Sequence, residues 1–252
     1  MKVKQSIALF SLLASGTMAL LSGQAAAGSA HHMAFEKALQ DPMRPAADKQ
    51  RDEGRKPAEV MKVFGVKPGM RVLDLVASGG YYTEVLSHRV GPKGEVISHN
   101  NQFMLEVMDG RFDKEMTQRL KNQRLSNVTR WHRESDDLGL DNEIDVATLI
   151  LNYHDFYNLD KALRFAFLEE VKKALKPGGV FGVIDMQAKP GDFNPKLHRI
   201  NDEVVKREIV SAGFTFMEEN ALLRNTTDDH TKMVFDPSVR GKTDRFILRF
   251  VK

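Results

Sequence analysis

At 252 residues the chain is long enough for one sizeable α/β domain, and having no cysteine it is excluded from disulfides and thiolate metal sites. Its 37 basic and 34 acidic residues leave a formal charge of +3, and losing Lys2 and Lys4 with an N-terminal segment brings this to +1. A chain so close to neutral offers no electrostatic case for nucleic acid.

Lys2 and Lys4 precede an apolar run, residues 7–21, followed by Gly23-Gln24-Ala25-Ala26-Ala27. Small residues at Ala25 and Ala27 fit signal peptidase, and the run is shorter than the roughly 20 residues of a spanning helix. The expectation is a signal peptide over 1–27, cleaved after Ala27, a polar arm over 28–55 and one domain over 56–252. The mature chain is expected in the periplasm or outside the cell, away from the membrane. The arm has one short helix, 34–39, and the charged residues Arg44, Arg51, Asp52 and Arg55, which could cover a cleft.

Pro57 suits the first turn of a helix through Phe64. Residues 72–75 form a strand whose apolar residues are consecutive, as when both faces are buried. A helix over 82–90 stops at Gly91-Pro92, and a second strand covers 96–98. One long charged helix follows between 104 and 120. A third strand is expected over 128–132 and a fourth over 145–151. The spacing of Leu163, Phe167, Val171 and Ala174 predicts a helix over 159–175, ended by Lys176-Pro177-Gly178-Gly179. A fifth strand covers 180–184. Asn201 caps a helix carrying Val205, Ile209 and Ala212, and two strands close the chain at 214–218 and 245–251. Strand and helix alternate, so the class is α/β with a mainly parallel sheet.

Ligands bind such sheets at the carboxyl ends of the strands. The most informative stretch there is MRVLDLVASGGYY, residues 70–82: an apolar strand, Asp74, a turn of small residues and a helix start that leaves N–H groups free. The other strand ends bring His99-Asn100, Glu134 and the run from Asn152 to Asp155 to the same edge.

His154 is the best catalytic candidate, since imidazole titrates near neutral pH, and Asp155 could orient it. The bland reading makes Asp155 a helix cap and His154 a backbone-bonded side chain. His198-Arg199 is either a lid over an acidic substrate or a solvated loop. A metal held by His154, Asp155, His198 and His230 is conceivable, but no pair has helical ligand spacing and no metal is expected.

VLDLVASGGYYTEVL, GPKGEV, DVATLILNYHD and LKPGGVFGVID, in this order, resemble a class I S-adenosylmethionine (SAM)-dependent methyltransferase; RDEGRKPAEV, LHRI, AGF and TDRF resemble an exported branch of predicted methyltransferases. The resemblance spans roughly residues 51–252. It implies a Rossmann-like fold with a mainly parallel seven-stranded sheet, helices on both faces and the last strand antiparallel. It implies SAM as cofactor and a small-molecule substrate. By the same resemblance Asp74 ends the first strand, Ser78, Gly79 and Gly80 lie under the methionine part, Asn100 faces the ribose, Glu134 the adenine amino group, and Asn152 and His154 the cofactor and substrate. Val76 and Ser78 stand where the pattern has glycine, and Asn100 where it has a carboxylate. An amide accepts without charge, so weaker ribose binding is expected. The other reading is a non-catalytic exported binding protein on this scaffold.

Overall fold

A computed structural model describes residues 33–191 and 194–252. The expected signal peptide lies outside the described residues. A short helix, α1 (33–39), belongs to a separate unit ending at Pro42; everything else forms the second unit.

That unit is built on a seven-stranded sheet ordered β3-β2-β1-β4-β5-β7-β6. The strands are β1 (Arg71–Leu75), β2 (Glu95–His99), β3 (Val128–Trp131), β4 (Ile144–Ile150), β5 (Leu175–Met186), β6 (Thr215–Asn220) and β7 (Arg245–Val251). β1 to β5 pair in parallel; β7 runs antiparallel to both β5 and β6. The central strands are apolar without alternation because helices cover both faces, and Leu73, Ala147, Phe181 and Leu248 are fully buried.

The helices are α2 (Ala46–Arg55), α3 (Pro57–Val63), α4 (Tyr81–Val90), α5 (Gln102–Leu120), α6 (Tyr153–Tyr157), α7 (Lys161–Ala174) and α8 (Asp202–Ser211). Two differ from expectation. The long charged helix is broken, with Val107 extended and Met108, Asp109 and Gly110 in the left-handed region. The helix expected over 159–175 is preceded by α6, a separate turn. Asn201 caps α8 as anticipated, accepting from the Glu203 N–H.

From β1 the chain passes to β2 on one side, and it returns to β4 on the other. The order reverses between β1 and β4, and the crevice at their carboxyl ends is where such a sheet takes a ligand. The loop after β1 and the turn into α6 form that crevice.

Candidate functional site

The loop after β1 runs through left-handed backbone at Val76 (φ 52°), Ser78 (φ 53°) and Gly80 (φ 83°). A β-branched residue there is strained by about 1–3 kcal/mol and persists only where its surroundings dictate it. Those surroundings are visible. The Ala77 N–H donates to the His99 carbonyl at 2.8 Å, and the Val76 N–H points to His99 Nδ1 at 3.4 Å. Asn152 Nδ2 donates to the Val76 carbonyl at 3.2 Å. The Asn100 amide clasps Ser78 from both sides, accepting from its N–H at 2.9 Å and donating to its carbonyl at 3.0 Å. Arg119 of α5 donates to the Gly79 carbonyl at 2.9 Å. The glycines answer to α5 packing: a Cβ at Gly79 would stand 2.1 Å from Glu115 Oε2, and one at Gly80 2.6 Å from Met116 Cε.

Asn100, expected to face a ribose, is therefore first a loop clamp. Its amide explains the absence of a carboxylate: an Asp would set a second oxygen against the Ser78 carbonyl. The amide oxygen keeps one lone pair beyond the Ser78 bond. Asp74, at the end of β1, is held by side chains of α4 and β4. It accepts from the Thr83 hydroxyl at 2.6 Å and the Thr148 hydroxyl at 3.4 Å, not from loop N–H groups. Burial raises its carboxyl to about 6, against the pull of those two hydroxyls.

His99, fully buried, is pushed down to about 4 by burial, which outweighs its bond to the Arg133 carbonyl. Asp74 and His99 thus oppose each other. The depressed His99 costs stability as pH falls from about 6.5 towards 4, because the unfolded chain takes up the proton first. The raised Asp74 adds stability as pH falls from about 6 towards 3.8, because the folded chain does. Between pH 7 and 5 these are roughly a 2 kcal/mol loss and a 1 kcal/mol gain. Asp74→Asn should therefore make stability fall by about 1 kcal/mol more over that interval than in the parent chain. Urea denaturation at both pH values checks this, and equal slopes would refute it.

The first turn of α4 has no side-chain cap, so its leading N–H groups are free to meet an anion. Arg55 stands over the rings of Tyr81 and Tyr82, at 4.3 and 5.6 Å from their centroids. Among the described residues it has no carboxylate within ion-pair distance. Glu134 lies exposed beyond β3 and accepts from the Gln102 N–H at 3.3 Å.

On the β4 side, Ile150 pairs with Ile184, so Asp185 rises beside the turn that carries His154. Asp185 is fully buried and accepts from His154 twice, from Nδ1 at 2.8 Å and from the backbone N–H at 2.9 Å. Burial lowers the His154 pKa, yet Asp185 and then Asp155 outweigh it and the net shift is upward. The orienting carboxylate is thus chiefly Asp185, which sequence reasoning missed; its signal was a lone acid ending the apolar run VFGVID. Asp155 does meet His154, its Oδ2 3.4 Å from Nε2, but it caps no helix. His198 Nδ1 lies 3.3 Å from His154 Nε2. Arg199 is neither solvated nor available to a substrate: it is buried in a two-pronged pair with Asp228 at 2.8 and 3.1 Å. His230 pairs instead with Asp244, at 3.0 Å.

The arrangement fits SAM in its methionine half, with free N–H groups, an unpaired cation and a fixed loop. One amide lone pair and one exposed carboxylate remain for the nucleoside. A family model described as the ubiE/COQ5 methyltransferase family matches residues 49–231. The chain is 35% identical over 132 residues to the "Ubiquinone/menaquinone biosynthesis C-methyltransferase UbiE" of Shewanella oneidensis, covering 52% of this chain and 47% of that protein. It is 30% identical over 193 residues to the protein of the same description from Ectopseudomonas mendocina, covering 75% and 65%. The chain thus spans about half to two thirds of the length of these relatives. In fold it is similar to a SAM-dependent methyltransferase from Aquifex aeolicus, with TM-score 0.61, 24% identity and coverage of 87% and 97%.

Proposed function

The chain belongs to the ubiE/COQ5 methyltransferase family, and from that premise we propose that it is a SAM-dependent methyltransferase acting on a small molecule after export to the periplasm or beyond. The observation that carries the reading is the crevice between β1 and β4, where a fixed loop with an unpaired cation stands on one side and an oriented histidine on the other. When bound, SAM supplies an activated methyl group and its own leaving group. The chain's residues then have mainly to position. Arg55 and the leading N–H groups of α4 hold the methionyl carboxylate. The loop from Val76 to Gly80 seats the methionine part, Asn100 offers one acceptor to the ribose, and Glu134 accepts from the adenine amino group. Asn152 braces the loop from the β4 side. His154 carries its proton-accepting lone pair at Nε2, because Nδ1 is held by Asp185, and takes the proton that a nucleophile sheds.

Calorimetric titration with SAM and with S-adenosylhomocysteine tests this. Saturable micromolar binding, weakened by Arg55→Ala, is expected. No binding of either at millimolar ligand would overturn the reading in favour of a binding protein on the same scaffold.

A further inference from the structure

Among the described residues, His154, Asp155 and His198 bring their ligating atoms together. His154 Nε2 and His198 Nδ1 are 3.3 Å apart; Asp155 lies across both, one oxygen 3.4 Å from Nε2 and the other 3.5 Å from Nδ1. Unprotonated ring nitrogens and a carboxylate are all acceptors, so only a proton or a cation can sit among them. We propose that these three side chains form a binding site for a divalent first-row transition metal of zinc type.

The spacing favours that class. Ligands 2.0–2.1 Å from a tetrahedral ion stand about 3.3–3.4 Å apart, whereas an octahedral magnesium ion at the same bond length would draw them to about 2.8–3.0 Å. Two imidazoles and a carboxylate are also zinc-type donors.

Orientation and charge support it independently. Asp185 holds His154 Nδ1 and its backbone N–H, so the ring cannot turn and Nε2 faces the cluster. A buried carboxylate behind a histidine is the arrangement that fixes tautomer and ring at metal centres. His198 is set by left-handed backbone (φ 52°), by the buried Arg199–Asp228 pair next to it and by the Phe235 ring at 5.1 Å. Neither Asp155 nor Asp185 has a lysine or arginine in ion-pair contact among the described residues. Among the described residues, then, neither the cluster's carboxylate nor the one behind it is neutralised by a lysine or arginine. The outer side is open, with the Asp155 side chain 53% and that of His198 34% exposed. An ion can enter there, and one corner is left for water or a substrate oxygen.

The inference goes beyond methyl transfer and shares one atom with it: a metal on His154 Nε2 occupies the lone pair that would accept a proton. The test uses the purified full chain, stripped with a chelator and titrated with Co²⁺, read by its visible absorption, then with Zn²⁺ in competition. One equivalent should give the intense absorption of tetrahedral cobalt, displaced by zinc. Asp185→Asn should weaken binding by about 10–100-fold, and His198→Ala by more. Absence of saturation at one equivalent, or identical titrations for the parent chain and a His198→Ala variant folded by circular dichroism, would overturn the site. SAM titration of the same samples keeps the two readings apart: lost SAM binding with intact cobalt absorption would sink methyl transfer alone.

Discussion

His154→Ala should lower the turnover of methyl transfer by about 10²–10⁴-fold, the usual worth of a positioned base, with SAM affinity changed less than threefold. The split follows from the fold. His154 sits on the β4 side of the crevice, while every contact assigned to the methionine part comes from the loop after β1, from α4 and from Arg55. Asp185→Asn should act in the same direction, because an amide can donate to Nδ1 and hold the ring in the wrong tautomer. Transfer of labelled methyl from SAM into a small-molecule extract, beside calorimetry with SAM, measures both quantities. If turnover and affinity fall together, His154 belongs to the cofactor site. If neither moves, another group takes the proton.

Glu84→Gln should cost about 3–5 kcal/mol of stability at pH 7, as removal of one partner from a buried ion network does. Glu84 is wholly buried on α4 and bonds Arg119 and Arg124, with His88 at 3.6 Å and Arg44 at 3.9 Å. Burial works against its charge, but the bonds from His88 and Arg124 and the charges of Arg119 and Arg124 lower its carboxyl to about 2. Asp48 extends the network, pairing with Arg119 at 2.7 Å, and Asp52 does so through Arg44 at 2.6 Å and the Tyr81 hydroxyl at 2.6 Å. Without the carboxylate Arg124 loses its acidic partner among the described residues, while Arg119 keeps Asp48 and Arg44 keeps Asp52; the loss is large against the 5–15 kcal/mol of a typical domain. Arg119 also supports the Gly79 carbonyl, so SAM binding should weaken as well. Chemical denaturation with parallel SAM titration reads both; a loss under 1 kcal/mol would show that the arginines find other partners.

Much of the fold was legible in the chain. The central strands β1, β4 and β5 carry apolar runs bounded by glycine, proline or polar residues, and burial on both faces leaves no ambiguity of period. The break in α5 was not legible, since Gly110 is one glycine in a charged helix and Val107 and Met108 give no signal of leaving it. Nor was α6, because five residues after a strand show no periodicity. Of the site, the loop after β1 and the importance of His154 could be read locally. What the loop residues do could not. Asn100 meets Ser78 across 22 positions, and Asp185 meets His154 across 31. Both meetings depend on strand register, which no local pattern encodes. The same holds for His198, whose place beside His154 follows from the bridge that pairs Gln187 with Ile200 after β5.

The place of β7 in the sheet sets a timetable for the chain. This last strand is inserted between β5 and β6, with Val180 opposite Val251 and the Lys252 N–H on the Gly179 carbonyl. Until β7 has left the ribosome, β5 carries an unpaired edge and β6 has no neighbour to join. These pairings are long in sequence separation and slow to form. The sheet therefore cannot close across β5 and β6 until residues 245–251 have emerged, and both of its antiparallel pairings wait on that one strand.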